Sequence, residues 1–167
     1  MNYFELFDIE QNYIIDQTRL RKQYLALQEK YHPDKAKDEL QRHKNAAYSM
    51  FANEAFKVLK DDYLRAEYIL KTKGEILDND KLKSVLSAAQ LEEILEEYES
   101  IESLSCNLSS LYVIKKDKIA ICEKLVHDIG IAFSENNIKQ ALDLTVRLKY
   151  LTNLVGNIKL KIKNADN

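Results

Sequence analysis

Glycine and proline are scarce. Three glycines (Gly74, Gly130, Gly156) and one proline (Pro33) serve 167 residues, where an average composition of about 7% Gly and 5% Pro would supply roughly twelve and eight. Folds made of many tight turns draw on those residues, so the shortage excludes β-sandwiches and doubly wound sheets. An all-α fold is predicted. Cysteine is nearly absent too: Cys106 and Cys122 have no partner motif, which predicts two buried free thiols in a reducing compartment. Neither sign of charge dominates, with 25 Lys+Arg against 27 Asp+Glu, and this argues against a nucleic-acid binder held by bulk charge. No run approaches about 18 apolar residues, so no membrane-spanning helix is expected. Residues 1–8 carry acids and no basic flank, unlike a signal or transit peptide. A cytoplasmic protein is the expectation.

What is present is 46% hydrophobic and 31% charged residues, enough to bury a core without disulfides or metals. Apolar residues recur at helical spacing almost throughout. Leu20, Tyr24, Leu27 and Tyr31 form one stripe, which Asp16 or Thr18 can cap at its start. Pro33 lacks an N–H and drives His32 from the α region, so that helix ends by residues 31–32. A polar stretch over 34–42 follows, then a second stripe of Ala47, Phe51, Ala55, Val58 and Leu59. Two helices joined so closely should lie antiparallel, with a short turn holding Tyr3, Phe4, Leu6 and Phe7 across them. A short helix over 63–70 ends at Gly74, a plausible left-handed C′ residue. The polar segment 75–80 reads as a boundary. Beyond it, helical stretches over roughly 81–104, 112–133 and 137–163 predict a three-helix bundle. Asn136 or Asn137 suits the cap of the last, where Leu144, Leu148, Leu151, Val155, Ile158 and Ile162 form a bundle seam.

Chemistry concentrates at Tyr31-His32-Pro33-Asp34-Lys35. The helix stop leaves His32 and Asp34 at an exposed tip, and the preceding helix carries Arg19, Arg21, Lys22 and Lys30 against Glu29 alone. A basic face ending in a rigid polar tip suits an acidic partner surface. Taken alone, the tripeptide also fits a plain helix stop with solvated side chains. It is not alone. Tyr3-Phe4-Glu5-Leu6-Phe7, the helix over 20–31, His32-Pro33-Asp34-Lys35 and Asn53-Glu54-Ala55-Phe56-Lys57-Val58-Leu59 together resemble the J-domain family, in its order and spacing. The resemblance implies that the tripeptide and the basic helix, with Tyr31 and Lys35, dock on a DnaK-class heat-shock ATPase and stimulate its ATP hydrolysis.

The run Leu64-Arg65-Ala66-Glu67-Tyr68-Ile69-Leu70, followed by Gly74, is similar to the HscB branch of that family, the J-type co-chaperones of iron–sulfur cluster assembly. A Gly/Phe-rich linker and a CxxCxGxG repeat, expected of general-purpose J proteins, are missing, as is an N-terminal CxxC extension. One departure is Asp62, where the branch commonly has proline. The implied organisation is a J domain over 1–75 with an antiparallel helix hairpin, a linker over 76–81, and a client-binding three-helix bundle over 82–167. The implied partners are an HscA-type ATPase and an IscU-type scaffold protein, with no cofactor. In the family an apolar and acidic patch on the first long bundle helix, joined by an aromatic residue of the last, holds the scaffold. The matching residues are Leu86, Ala89, Leu91, Glu93, Glu96 and Tyr150. Tyr150 is expected to point away from the seam, and Leu91, Ile94, Tyr98 and Ile101 toward the core. Leu82 and Leu86 have a second expectation, packing against the J domain. The bundle also admits a different client.

Other chemistry finds little support. His127 lies near Cys122 without further ligands for a metal site. The acids from Glu92 to Glu102 read as a solvated or partner-facing helix surface. No Gly-rich loop is available to cradle a phosphate, and an acid–base role for His32 and Asp34 lacks any pocket lining around it. The chain is not expected to be an enzyme.

Overall fold

A helix leaves its first four N–H groups without partners, and short polar side chains are the local remedy. In the computed structural model, which describes residues 2–104 and 107–165, every one of the eight α-helices found there begins behind such a residue. Asn2 caps α1 (Tyr3–Leu6), Asp16 caps α2 (Gln17–Lys30) and Asp38 caps α3 (Glu39–Lys60). Asp61 accepts from the Leu64 N–H at the start of α4 (Asp62–Thr72). Asp78, Ser87 and Asn107 cap α5 (Asn79–Val85), α6 (Ala88–Ser103) and α7 (Leu108–Ser134). Asn137 accepts from the Gln140 N–H at the start of α8 (Ile138–Ala165). Among the described residues there is no strand, so the fold is all-α as predicted. Cys106 lies outside them.

Three helix ends use left-handed backbone. Asp8 (φ +50°) closes α1, its N–H reaching the Glu5 carbonyl and the Ile9 N–H reaching Phe4. Gly74 (φ +89°) closes α4: its N–H reaches the Lys71 carbonyl, and the Glu75 N–H reaches Leu70. Asn136 (φ +54°) closes α7 in the same pattern, with Asn136 donating to Phe133 and Asn137 to Ala132. All three are Schellman closures, by aspartate, glycine and asparagine in turn.

The chain divides into two compact units, Met1–Ile69 and Leu70–Asn167. In the first, Tyr24 stacks on Phe56 and Tyr31 on Tyr48, while Gln28 bonds Asn53. Ascending numbers on α2 meet descending numbers on α3, so the hairpin is antiparallel. Phe4, Phe7, Tyr13, Leu20, Ala52, Ala55 and Leu59 fill its core. The Arg65-Ala66-Glu67-Tyr68 run fastens the start of the chain. Buried Arg65 donates to the Tyr13 carbonyl (2.6 Å), the Leu59 carbonyl (2.7 Å) and the Asp62 carboxylate. Tyr68 stacks on Tyr3 and accepts its N–H.

The second unit is an up-down-up bundle. Leu111 shares a cluster with Leu154, Ile158 and Ile162, and Ala132 shares one with Ala141 and Leu142, so α7 and α8 are antiparallel. Ile101 joins the first cluster, and Leu91 packs on the cluster of Leu82, Leu86 and Val146. Helix α6 therefore runs parallel to α8.

Several expectations give way to local capping or to longer-range packing. The stretch 81–104 is two helices, because Ser87 and Gln90 form a capping box that starts α6 anew. Leu82 and Leu86 consequently pack on Val146 within the bundle, and both are buried. The polar loop 34–42 is shorter than expected: residues Pro33–Lys35 form a 3-10 turn and Asp38 already starts α3. Ala47 is exposed; Asn45, Ala52, Ala55 and Leu59 mark the inner face of α3. Helix α7 begins four residues before 112, at Leu108 behind its Asn107 cap. Leu70, in α4, already packs with Ala132, Ala141 and Leu142, ahead of the polar segment 75–80. Leu77, in that polar segment, packs on two bundle clusters.

Candidate functional site

Helix α2 ends at Tyr31, whose N–H reaches the Leu27 carbonyl, and the 3-10 turn Pro33–Lys35 carries the chain round to α3. At that tip the side chains of His32 and Asp34 are 57% and 86% exposed. The Asp34 N–H donates to His32 Nδ1 (3.3 Å), and Asp34 Oδ2 lies 3.6 Å from the same nitrogen. Imidazole and carboxylate thus stand together, outward. Lys35 pairs with Glu29 (3.3 Å), and the Lys30 ammonium lies 5.2 Å from the centroid of the Tyr31 ring. Such a tip can exchange hydrogen bonds and charge with a protein surface.

The basic residues predicted beside it are not equivalent. Arg19, Lys22 and Lys30 share one face of α2 by helical spacing, whereas Arg21 falls on another. Arg19 is partly engaged already: its Nη2 donates to the Asp8 carbonyl (2.6 Å) and lies 3.8 Å from the Asp8 carboxylate. Asp8 has positive φ, +50°, so Arg19 braces a left-handed corner as well as presenting charge.

In the second unit a groove of about 140 Å³ opens between α6, α7 and α8. Leu86, Gln90, Glu93, Ile94, Glu97 and Tyr98 form one wall, Lys118 and Ile121 a second, and Arg147, Tyr150, Leu151 and Leu154 the third. Of the six residues predicted for scaffold binding, Leu86, Glu93 and Tyr150 meet here. Ala89 and Glu96 are exposed on α6, and Leu91 is half-buried against Leu82, Leu86 and Val146. Tyr150 does leave the main seam, yet it packs on that same cluster. Glu97 pairs with Lys118 across α6 and α7, both largely shielded from water. Burial, reinforced by neighbouring Tyr150, pushes the Tyr98 phenol above its ordinary range.

Sequence periodicity missed Lys118 and Ile121, which come from a helix read only as a core former, and Arg147, one turn before Tyr150 on α8. It also missed Leu95, which is 62% exposed on α6 between Glu92, Glu96 and Glu99. A large apolar side chain among acids is the signal that could have found it. Cys122 is a free, half-buried thiol that burial pushes up. Among the described residues no three His, Cys, Asp or Glu side chains group to hold a metal ion, and no helix is long and apolar enough to cross a membrane.

Comparison with known proteins agrees with this geometry. Residues 86–159 match the model of the HSCB C-terminal oligomerisation domain family. The co-chaperone protein HscB homolog of Shewanella woodyi is 31% identical over 161 residues, 92% of each chain. The iron-sulfur cluster co-chaperone protein HscB of Mus musculus is 27% identical, covering 95% of this chain and 68% of its own. Among solved structures, chaperone HscB from Vibrio cholerae superposes with a TM-score of 0.85 at 25% identity, over 99% of both chains.

Proposed function

Because the chain belongs to the HscB family of co-chaperones, we propose that it brings an IscU-type iron–sulfur scaffold protein to an HscA-type, DnaK-class ATPase in the cytoplasm and stimulates that ATPase. The observation that carries this reading is the outward-facing pair of His32 and Asp34 at a helix stop. Asp34 keeps a carboxylate free for a cationic group of the ATPase, and a charge-assisted bond of that kind is among the stronger surface contacts. Lys22, Lys30 and the remaining charge of Arg19 supply the steering face, with Arg21, Tyr31, Pro33 and Lys35 at its margins. Stimulation then follows if this surface binds the hydrolysis-competent conformation of the ATPase more tightly than the other.

The bundle supplies the second contact. Its groove combines apolar walls with Glu93 and the aromatic Tyr150, and the outer face of α6 adds Ala89, Leu95 and Glu96. A scaffold protein held there is delivered by effective concentration: with both partners on one chain, their meeting becomes nearly intramolecular. The name of the mouse relative, which ties it to iron–sulfur clusters, supports this client class.

The test is steady-state ATP hydrolysis by the ATPase alone, with this protein, with the scaffold protein, and with both. Asp34→Asn should abolish stimulation while circular dichroism and the unfolding midpoint stay unchanged. Normal stimulation by that variant would overturn the role of the tip. Stimulation that the scaffold protein leaves unaltered would assign the bundle to a different client.

A further inference from the structure

Three residues of 3-10 backbone do not hold their own direction, so the His32–Asp34 tip needs a brace. Pro33 has no N–H to give, and the turn is held through the His32 carbonyl instead. That oxygen accepts the Lys35 N–H at 3.0 Å from within the turn, and the Asn45 Nδ2 amide at 3.4 Å from α3. Asn45 is 4% exposed. Its Oδ1 accepts from Gln41 Nε2 at 2.7 Å, one helical turn earlier. A buried carboxamide is disfavoured unless its donor and acceptor are both used. Here both are used, one on a neighbour that keeps it oriented and one on the loop.

The consequence reaches the side chains. Fixing the His32 carbonyl fixes the peptide plane from which the turn departs. The imidazole is tied to that turn in its own right, since Nδ1 accepts the Asp34 N–H. Peptide, ring and carboxylate therefore move as one unit whose orientation is set from α3. We infer that Asn45 is a positioning residue for ATPase stimulation: through Gln41 and the His32 carbonyl it sets the angle at which the tip meets the ATPase. This rests on the reading of that tip as the ATPase contact.

Two substitutions separate positioning from stability. Asn45→Leu has the same branched heavy-atom shape and keeps the helix interface filled while removing the donor; Asn45→Ala also leaves a void. With a purified DnaK-class ATPase, both should lower the maximal stimulated rate about tenfold. The half-saturating concentration should stay within about twofold, because the basic face of α2 is intact. The Leu variant should keep its unfolding midpoint, bind the scaffold protein as before, and show a shifted His32 carbonyl carbon resonance. Wild-type maximal stimulation by a folded Asn45→Leu protein overturns the proposal. So does free exchange of the Asn45 side-chain amide protons in the unaltered protein, a measurement that needs no variant. His32→Gln run alongside separates the two levels: if it too stimulates normally, the reading of the tip falls first.

Discussion

Arg65 shows how much a single side chain can organise. Its guanidinium lies over the Tyr13 ring, 4.8 Å from the centroid, and bonds two main-chain carbonyls and one carboxylate from inside the core. The Leu59 carbonyl is one of the orphan acceptors at the end of α3. Asp62, standing where the family commonly has proline, gives that cation its counter-charge from the first position of α4. Arg65→Met should therefore cost about 3 kcal/mol, since it leaves two buried acceptors and a carboxylate without their donor. Urea unfolding followed by circular dichroism reads this out, and a loss under about 1 kcal/mol would mean that water takes the place of the cation. Cys122 gives a pH-dependent check. Its raised pKa means less thiolate at any given pH than an ordinary thiol has, so alkylation at Cys122 should be slow at pH 8 and climb above it. Residue-resolved mass spectrometry against a small free thiol measures the ratio; an equal rate at pH 8 would show the site to be open.

Among the elements, the one that sequence periodicity misplaced is the first bundle helix. A stripe through Leu82, Leu86 and Ala89 looks continuous on one helix, but Ser87 and Gln90 satisfy each other's backbone N–H groups and begin a new one. The Ser-x-x-Gln pattern was there to be found; the apolar spacing around it was the louder signal. Ser87→Ala should cost about 1 kcal/mol. Gly74→Ala should cost a similar amount, about 1 kcal/mol, through backbone strain alone, because no heavy atom lies within 4 Å of the added Cβ. The two sites share no partners, so the double variant should lose the sum. Thermal unfolding of the four proteins tests this, and strong non-additivity would show that the α5 segment communicates with the end of α4.

For the whole molecule the expectation is two functions that can be removed one at a time. Tyr150→Ala should weaken binding of an IscU-type scaffold by about thirtyfold or more, the usual cost of losing a central aromatic anchor. It should leave stimulation without scaffold intact. His32→Gln should do the reverse, and calorimetric titration alongside ATPase assays distinguishes them. Loss of both activities in either single variant would refute a two-site adaptor. The all-helical class, the hairpin, the exposed tip and the bundle count follow from the sequence by itself. They arise from local causes: a residue that cannot donate, side chains that cap, apolar spacing of three and four. Only the tertiary structure decides which face each side chain takes. It leaves Ala47 in solvent and buries Asn45 beneath the tip; it turns Leu86 inward and ties Glu97 to Lys118 from another helix. Those outcomes depend on partners many residues away, and the period of one helix carries no information about its neighbour.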